Sequence, residues 1–159
     1  MKYVYIYCLL FVFITLESCK KYQNEQVVED VKVQSEEQIS QMCYKALYQK
    51  DTIDLKINTL QNGKITGNMV MNVFNEPKMI GEISGQFRGD TLICAYTFIL
   101  EPNKEITYKN PMAFLKRKNM IILGNGKLEY NMGGTYFTSV IDFDDAKYKF
   151  TNVECNDKN

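Results

Sequence analysis

The sequence contains no histidine and no tryptophan, and its basic and acidic side chains balance at 19 each. Histidine is the commonest general base and the commonest metal ligand in proteins, so its absence argues against hydrolase triads and zinc sites. A net charge of zero offers no electrostatic steering toward nucleic acid or anionic lipid. We therefore expect a non-catalytic protein with no catalytic residues, no metal site, no cofactor and no nucleic-acid partner.

The N-terminus, by contrast, carries a clear secretion signal. Lys2 precedes a run of thirteen residues, Val4 to Leu16, that is apolar or aromatic apart from Thr15. A positive flank, ~7–15 apolar residues and a cleavage site are the parts of a signal peptide. A helix that spans a bilayer needs ~20 apolar residues, so this run is short for a permanent anchor. Residues 1–18 are predicted to be a helical signal peptide.

The cleavage site has the form of a lipobox, Leu16-Glu17-Ser18-Cys19. Its cysteine receives the diacylglyceryl group before the signal peptidase cuts ahead of it. Two or three acyl chains, palmitate among them, would hold Cys19 stably in a membrane, whereas a single chain binds only marginally. The residue after the cysteine is Lys20 rather than the aspartate of inner-membrane retention, which predicts the outer membrane. The alternative is an ordinary secretory signal with a chance cysteine.

The mature chain divides into a tether and one domain. Residues 19–41 are rich in Lys, Gln, Glu, Asp and Ser and carry too few apolar residues to bury a face, which predicts a lipidated flexible tether. Residues 42–159 are long enough for one domain with its own core. A functional alternative is that the tether acts as an export address for the cell surface.

Period-two alternation dominates this domain. Ile53, Leu55 and Ile57 alternate with polar neighbours, which is typical of a strand with one wet face. Asn62-Gly63 predicts a hairpin with a type I′ turn, and Gly89-Asp90 predicts a second tight turn. Eight or nine short strands, the first at 43–48, favour an antiparallel meander. We expect an all-β, lipocalin-like barrel or half-barrel rather than a sandwich.

The motif Gly81-x-Ile83-x-Gly85-x-Phe87-x-Gly89-Asp90-Thr91-Leu92, followed by Tyr96-Thr97-Phe98, resembles a family of small, mostly uncharacterised lipoproteins from the Bacteroidota. Those proteins open with Cys-Tyr, continue through Lys-Asp-Thr and end with a late cysteine. The matching positions here are Cys43-Tyr44, Lys50-Asp51-Thr52 and Cys155. The resemblance implies an envelope location and this fold, and it implies almost nothing about activity.

Two functional classes remain open for the barrel. In the first, the interior holds a small apolar ligand, as the interiors of lipocalin-type barrels do. In the second, the core is filled and the protein presents loops to an envelope protein, with a structural or interaction role. An eight-strand barrel is wide enough for either. The residues that decide between them are the predicted inner-face side chains Met69, Phe87, Tyr96, Phe98 and Phe114.

Other candidate sites have simpler explanations. Cys94 lies in an apolar strand and is expected to behave as a small hydrophobe rather than a reactive thiol. The methionines fall at strand spacing, which favours core packing over a soft-metal site. Asp142, Asp144 and Asp145 lack the glycine and the distal glutamate of a calcium loop, so a solvated turn is favoured over weak calcium binding.

The cysteines predict a disulfide. Cys8 leaves with the signal peptide and Cys19 is acylated, so Cys43, Cys94 and Cys155 remain. Cys43 and Cys155 lie on the first and last strands, which are neighbours in space if the meander closes into a barrel. An oxidising compartment permits their bridge. The prediction is a Cys43–Cys155 disulfide at the seam, and the alternative is two free thiols.

Overall fold

Ten β-strands and no helix make up the part of the chain that the structure, a computed structural model, describes, which is residues 37–155. The predicted signal peptide, Cys19 and residues 20–36 of the tether lie outside the described residues, as do residues 156–159. The strands are β1 (Gln38–Tyr48), β2 (Asp51–Leu60), β3 (Lys64–Asn72), β4 (Met79–Arg88), β5 (Thr91–Leu100), β6 (Thr107–Arg117), β7 (Met120–Leu123), β8 (Leu128–Asn131), β9 (Gly134–Phe137) and β10 (Lys149–Val153). Within residues 37–155 there is no helix long and apolar enough to cross a membrane.

Eight of these strands form a closed antiparallel barrel in the order β1-β10-β7-β6-β5-β4-β3-β2. Every neighbouring pair from β1 to β7 is joined by a short connection, so the chain runs as a meander. The last barrel strand, β10, closes the cylinder by pairing with both β7 and β1. The predicted all-β class, the meander and the closure into a barrel are therefore confirmed. The other two strands, β8 and β9, pair only with each other.

Strand alternation places the apolar residues inside the barrel. The odd positions of β2 and β3 and the even positions of β5 are buried, while their neighbours are more exposed. Gly81 and Gly85 lie on the inner phase of β4, where a Cβ atom would collide with the backbone of β5. These glycines therefore allow β4 and β5 to approach closely where the barrel wall bends.

The backbone angles at the turns test the two turns that the sequence predicts. Gly89 has a positive φ of 60°, as the predicted Gly89-Asp90 turn requires. The Asn62-Gly63 hairpin is present, but its predicted type I′ turn is wrong. Gly63 has a positive φ of 80° and Asn62 does not, and Gly63 N–H donates to Leu60 O at 2.9 Å. The connection is a three-residue loop with glycine in the left-handed position, a common alternative to the two-residue turn.

The first strand is longer than the sequence predicts. It begins at Gln38 rather than at residue 43, because Gln38 pairs with Leu60 and Met42 pairs with Ile57. The segment 38–41, assigned to the tether from its polar composition, therefore belongs to the barrel wall. Gln38–Ser40 are exposed on both faces, Ile39 included, so they show no alternation of buried and exposed positions.

Between β7 and β10 the chain leaves the barrel wall. β7 ends at Leu123, and β8 and β9 then form a hairpin beside β6. Pro111 lies on the part of β6 that pairs with β5 but has no ladder partner in β7, which pairs only from Phe114 onward. This agrees with the preference of proline for strand edges, since proline has no N–H to donate to a ladder.

The two ends of the barrel differ. We call one end of the barrel the proximal end. It carries Glu37 and the turns at 61–63, 89–90 and 118–119. Glu37 lies beside the first of these turns, where its carbonyl oxygen accepts a hydrogen bond from Gln61 N–H at 2.9 Å. The distal end carries the turn at 49–50 and the loops 73–78 and 101–106. β1 runs from the proximal to the distal end, so Glu37, the first described residue, lies at the end opposite these loops.

The predicted disulfide is present at the seam. Cys43 and Cys155 are bridged with a Cα–Cα distance of 5.2 Å across a sequence separation of 112 residues. Cys43 pairs with Val153 in the β1–β10 ladder, so the bridge lies beside the last hydrogen-bonded pairs that close the barrel. The prediction of a Cys43–Cys155 bridge is confirmed.

Candidate functional site

The interior of the barrel contains the side chains that the sequence singled out as a ligand site. Met69, Tyr96, Phe98 and Phe114 belong to one buried cluster, and Phe87 packs against it. Each of the four is between 0% and 7% exposed. The structure thus brings all five residues together, in contact with the rest of the core.

Packing inside the barrel is aromatic and hydrogen-bonded. The rings of Tyr96 and Phe98 stack with centroids 4.7 Å apart, and those of Phe114 and Phe150 meet edge-on at 5.9 Å. The buried Tyr96 hydroxyl donates to the carbonyl oxygen of Met69 at 3.0 Å. A buried hydroxyl needs such a partner, and this one finds it on the barrel wall rather than on a ligand.

Four cavities around residues 37–155, with volumes of about 850, 750, 560 and 460 Å³, are lined by none of these five side chains. Most of their lining residues lie on the outer strand faces and in the turns, and a few, such as Tyr44, Leu55 and Cys94, belong to the buried core. This arrangement favours the filled-core alternative over a ligand in the barrel interior.

The free thiol of the described residues is buried in the same core. Cys94 is 5% exposed, and burial raises its pKa to about 12. Because the thiolate is the reactive form, we expect no alkylation of Cys94 by iodoacetamide at pH 8 in the native chain. Peptide mass mapping should find it modified only after denaturation, and Cys43 and Cys155 only after reduction as well. Modification of native Cys94 at the rate of a short peptide would contradict this placement.

A polar network at the distal end was not predicted. Asp51 is the only buried polar or charged residue among residues 37–155. Its carboxylate accepts hydrogen bonds from the backbone N–H of Phe74 and from the Tyr148 hydroxyl, each at 2.8 Å, and pairs with Lys147 Nζ at 2.7 Å. The network joins the β1–β2 turn, the loop 73–78 and the start of β10, so it braces the distal loops against the barrel.

Aromatic rings contact two of the lysines at this end, Lys50 and Lys147. Lys147 Nζ lies 5.0 Å from the ring centroid of Tyr48 and 4.8 Å from that of Tyr148. Lys50 Nζ lies 4.2 Å above the ring of Phe74. Such cation–π contacts are worth ~0.5–1 kcal/mol at exposed sites. They hold both ammonium groups against the loops rather than leaving them extended into solvent.

The ionic state of Asp51 follows from these contacts. The hydrogen bond from Lys147, with those from Phe74 and Tyr148, lowers the pKa of Asp51 from 3.8 to about 2, and pairing with Asp51 raises the pKa of Lys147. A carboxyl whose pKa is depressed in the folded state stabilises the fold above its unfolded pKa. That contribution is lost as the pH falls through the folded pKa.

We therefore expect the urea midpoint of the wild-type chain to decrease as the pH falls from 3.8 toward about 2. Asp51→Asn should unfold at lower urea at neutral pH and should lose this acid-side decrease, so the two midpoints converge at low pH. Asp54→Asn is the matched control, since Asp54 forms an exposed pair with Lys45 that contributes little to stability. Parallel curves for the wild-type chain and Asp51→Asn at all pH values would contradict the role assigned to this carboxylate.

The remaining sequence candidates are not brought together into a site. Asp142 Oδ1 accepts from Asp144 N–H at 2.8 Å, which is a local turn contact. No group of three or more His, Cys, Asp or Glu side chains within residues 37–155 is placed to hold a metal ion. Cys19 lies outside the described residues, so its acylation stays a prediction.

Comparison with protein-family models, with curated proteins and with solved structures finds no match to this chain. The resemblance to the Bacteroidota lipoproteins therefore stays a prediction from the motifs of the sequence. At the level of architecture, a small closed β-barrel is compatible with a ligand-binding role and with a structural role.

One sequence signal could have found the Asp51 network. Asp51 has the same strand phase as Ile53, Leu55 and Ile57, so the alternation itself places a carboxylate on the inner face. An inward carboxylate must find donors. Its partner Tyr148 lies 97 residues away, and no local pattern connects the two.

Proposed function

We propose that this chain is an exported lipoprotein, anchored to the outer membrane by acyl chains on Cys19, and that its barrel is a non-catalytic interaction module. The observation that supports the interaction role is the filled interior of the barrel. With Tyr96 and Phe114 fully buried against their neighbours, the barrel offers its outer surface and its loops, not its interior, to a partner in the envelope.

Two further observations support the proposal. The Cys43–Cys155 disulfide belongs to an oxidising compartment, which agrees with export. The chain enters the barrel at the proximal end, and β1 extends eleven residues, or ~36 Å at ~3.3 Å per residue, toward the distal end. The braced distal loops therefore lie at the end of the barrel opposite Glu37.

The proposed acyl anchor is tested in the bacterium that produces the protein. The mature protein should begin at Cys19, carry acyl mass and sediment with outer-membrane markers. Cys19→Ala should remain uncleaved or appear without acyl mass, and it should leave the outer-membrane fraction. Recovery of Cys19→Ala with the same acyl mass in the same fraction would refute the anchor, and sedimentation of wild type with inner-membrane markers would refute the location.

The proposed interaction role is tested by native mass spectrometry of the wild-type chain, isolated in detergent from the same bacterium. We expect the mass of the acylated polypeptide without a non-covalently bound apolar molecule, and co-purification of a partner after mild chemical cross-linking. A stoichiometric apolar small molecule that is released only on unfolding would instead show that the barrel interior is a ligand site.

A further inference from the structure

A groove lies on the outside of the barrel, between the outer faces of β4–β6 and the β8–β9 hairpin. Its volume is about 850 Å³, within the range of roughly 300–1,000 Å³ that is usual for small-molecule sites. The outward side chains Ile93, Ala95 and Pro111 contribute the apolar part of its lining on the barrel side. The hairpin contributes Tyr130 and Tyr136. This groove is separate from the filled interior.

The groove is almost free of charge. Lys109 is the one charged residue in its lining, and no carboxylate lines it. The chain from residue 130 to residue 141 contains no charged residue at all, although the sequence as a whole is rich in charge. Charged ligands would find one partner here at most. The lining therefore favours a ligand that is itself neutral.

The outward-facing polar side chains of the lining are hydroxyls. Ser84, Thr107 and Thr135 each offer both a donor and an acceptor without a net charge. Tyrosine hydroxyls add to this set. A ligand with many hydroxyl groups, each needing donors and acceptors, matches such a lining better than an apolar ligand does.

Two tyrosines of the hairpin expose their rings beside these groups. Tyr130 is 75% exposed and Tyr136 is 55% exposed. A tyrosine ring is a rigid apolar face with a polar edge, and it loses little conformational entropy on binding. Such rings suit the C–H faces of sugar rings, whose hydroxyls then point to the neutral polar groups around them.

Local backbone structure positions Tyr136. A Cβ atom at Gly134 would lie 2.6 Å from the Tyr136 hydroxyl, so the ring extends across the site where residue 134 would carry a side chain. The preceding turn has both Met132 and Gly133 at positive φ, which holds the hairpin in a tight two-residue connection. The glycine at 134 thus fixes the place of an exposed aromatic ring.

We infer that this groove binds a neutral oligosaccharide, with Tyr130 and Tyr136 as stacking platforms. The inference rests on the proposed function, because it names the class of partner that the outer surface of the barrel contacts. It does not depend on the acyl anchor, since no residue of the groove lies near the N-terminal segment in sequence.

Binding is measured by saturation-transfer NMR on the full chain in detergent. The probes are the hexamers of α-1,4-glucose, β-1,4-glucose, β-1,3-glucose and β-1,4-N-acetylglucosamine, with oligogalacturonate as the charged comparison. We expect transfer to at least one neutral hexamer and none to oligogalacturonate. Tyr136→Ala and Tyr130→Ala should each weaken binding roughly tenfold. Gly134→Ala should weaken it as well while leaving both rings in the chain.

Val140→Ala and Phe74→Ala are the controls, since both side chains are exposed and neither lines the groove. Thermal unfolding of each variant shows that it is folded. Failure of every neutral hexamer to bind overturns the inference, and so does binding that survives both tyrosine substitutions. The inference is also overturned if phosphatidylethanolamine vesicles or a cross-linked protein cover Tyr130 and Tyr136 while no glycan binds. Cys19→Ala should bind the glycan as wild type does. Failure of the proposed anchor and failure of glycan binding at the groove therefore give different results.

Discussion

Replacing Cys43 and Cys155 together by serine should lower the free energy of unfolding by ~5 kcal/mol, because the bridge closes a loop of 112 residues in the unfolded chain. This is among the largest effects that any paired substitution in the domain should produce, and it is comparable with the whole stability of many domains. The bridge lies next to the β1–β10 pairs, so its loss also frees the seam through which the barrel closes.

The measurement is urea unfolding of the full chain in detergent, with and without reductant. Wild type should lose stability when reductant is added, and the Cys43→Ser/Cys155→Ser chain should show no further loss. The buried Cys94 stays in both chains and serves as the internal control for thiol chemistry. Equal urea midpoints for the oxidised and reduced wild type would mean that hydrogen bonds alone hold the seam.

The second large effect is expected from Phe114→Ala. Phe114 is fully buried and packs edge-on against Phe150 of β10, which is separated from β6 in the barrel wall by β7 alone. Truncating a buried phenylalanine removes its transfer free energy and leaves a cavity, and the cost is ~3–5 kcal/mol. The barrel wall is hydrogen-bonded on both sides of β6 at this position, which limits how far it can collapse into the space.

Chemical denaturation of Phe114→Ala measures this cost, and Tyr130→Ala is the control. Tyr130 is 75% exposed, so its truncation should change the free energy of unfolding by less than ~0.5 kcal/mol. An apolar cavity in the barrel should also bind benzene, which the filled wild-type interior should not. A loss below ~1 kcal/mol for Phe114→Ala would contradict a packed interior and would favour a hollow barrel with room for a ligand.

Local sequence patterns were sufficient for the parts of the fold that local physics decides. The alternation of Ile53, Leu55 and Ile57 predicted β2 because successive side chains of a strand face opposite sides. Gly89 predicted a tight turn because glycine adopts positive φ without steric cost. Once each neighbouring pair of strands is a short hairpin, the meander follows, and the first and last strands meet. That meeting was enough to predict the Cys43–Cys155 bridge.

Boundaries were predicted less well where polar residues form strands. Gln38–Ser40 belong to β1 through backbone pairing with β2, and backbone hydrogen bonds leave no mark on side-chain composition. The β8–β9 hairpin departs from the simple meander. Its strands are four residues each, too short for an alternation to be distinguished from chance, and they pair only with each other.

By itself, the sequence determined the class of this protein, the direction of its strands, the contents of its core and the pairing of its cysteines, because each depends on periodicity or on neighbours along the chain. The proposed anchor rests on the export and lipidation signals that the sequence predicts at its N-terminus. Only the tertiary structure decided what each candidate site is. Asp51 bonds to Tyr148 across 97 residues, and Pro111 and Tyr136 line one groove that neither β6 nor the hairpin forms alone. Contacts of this kind arise when distant segments pack, so the residues that make them share no pattern that could be seen before folding.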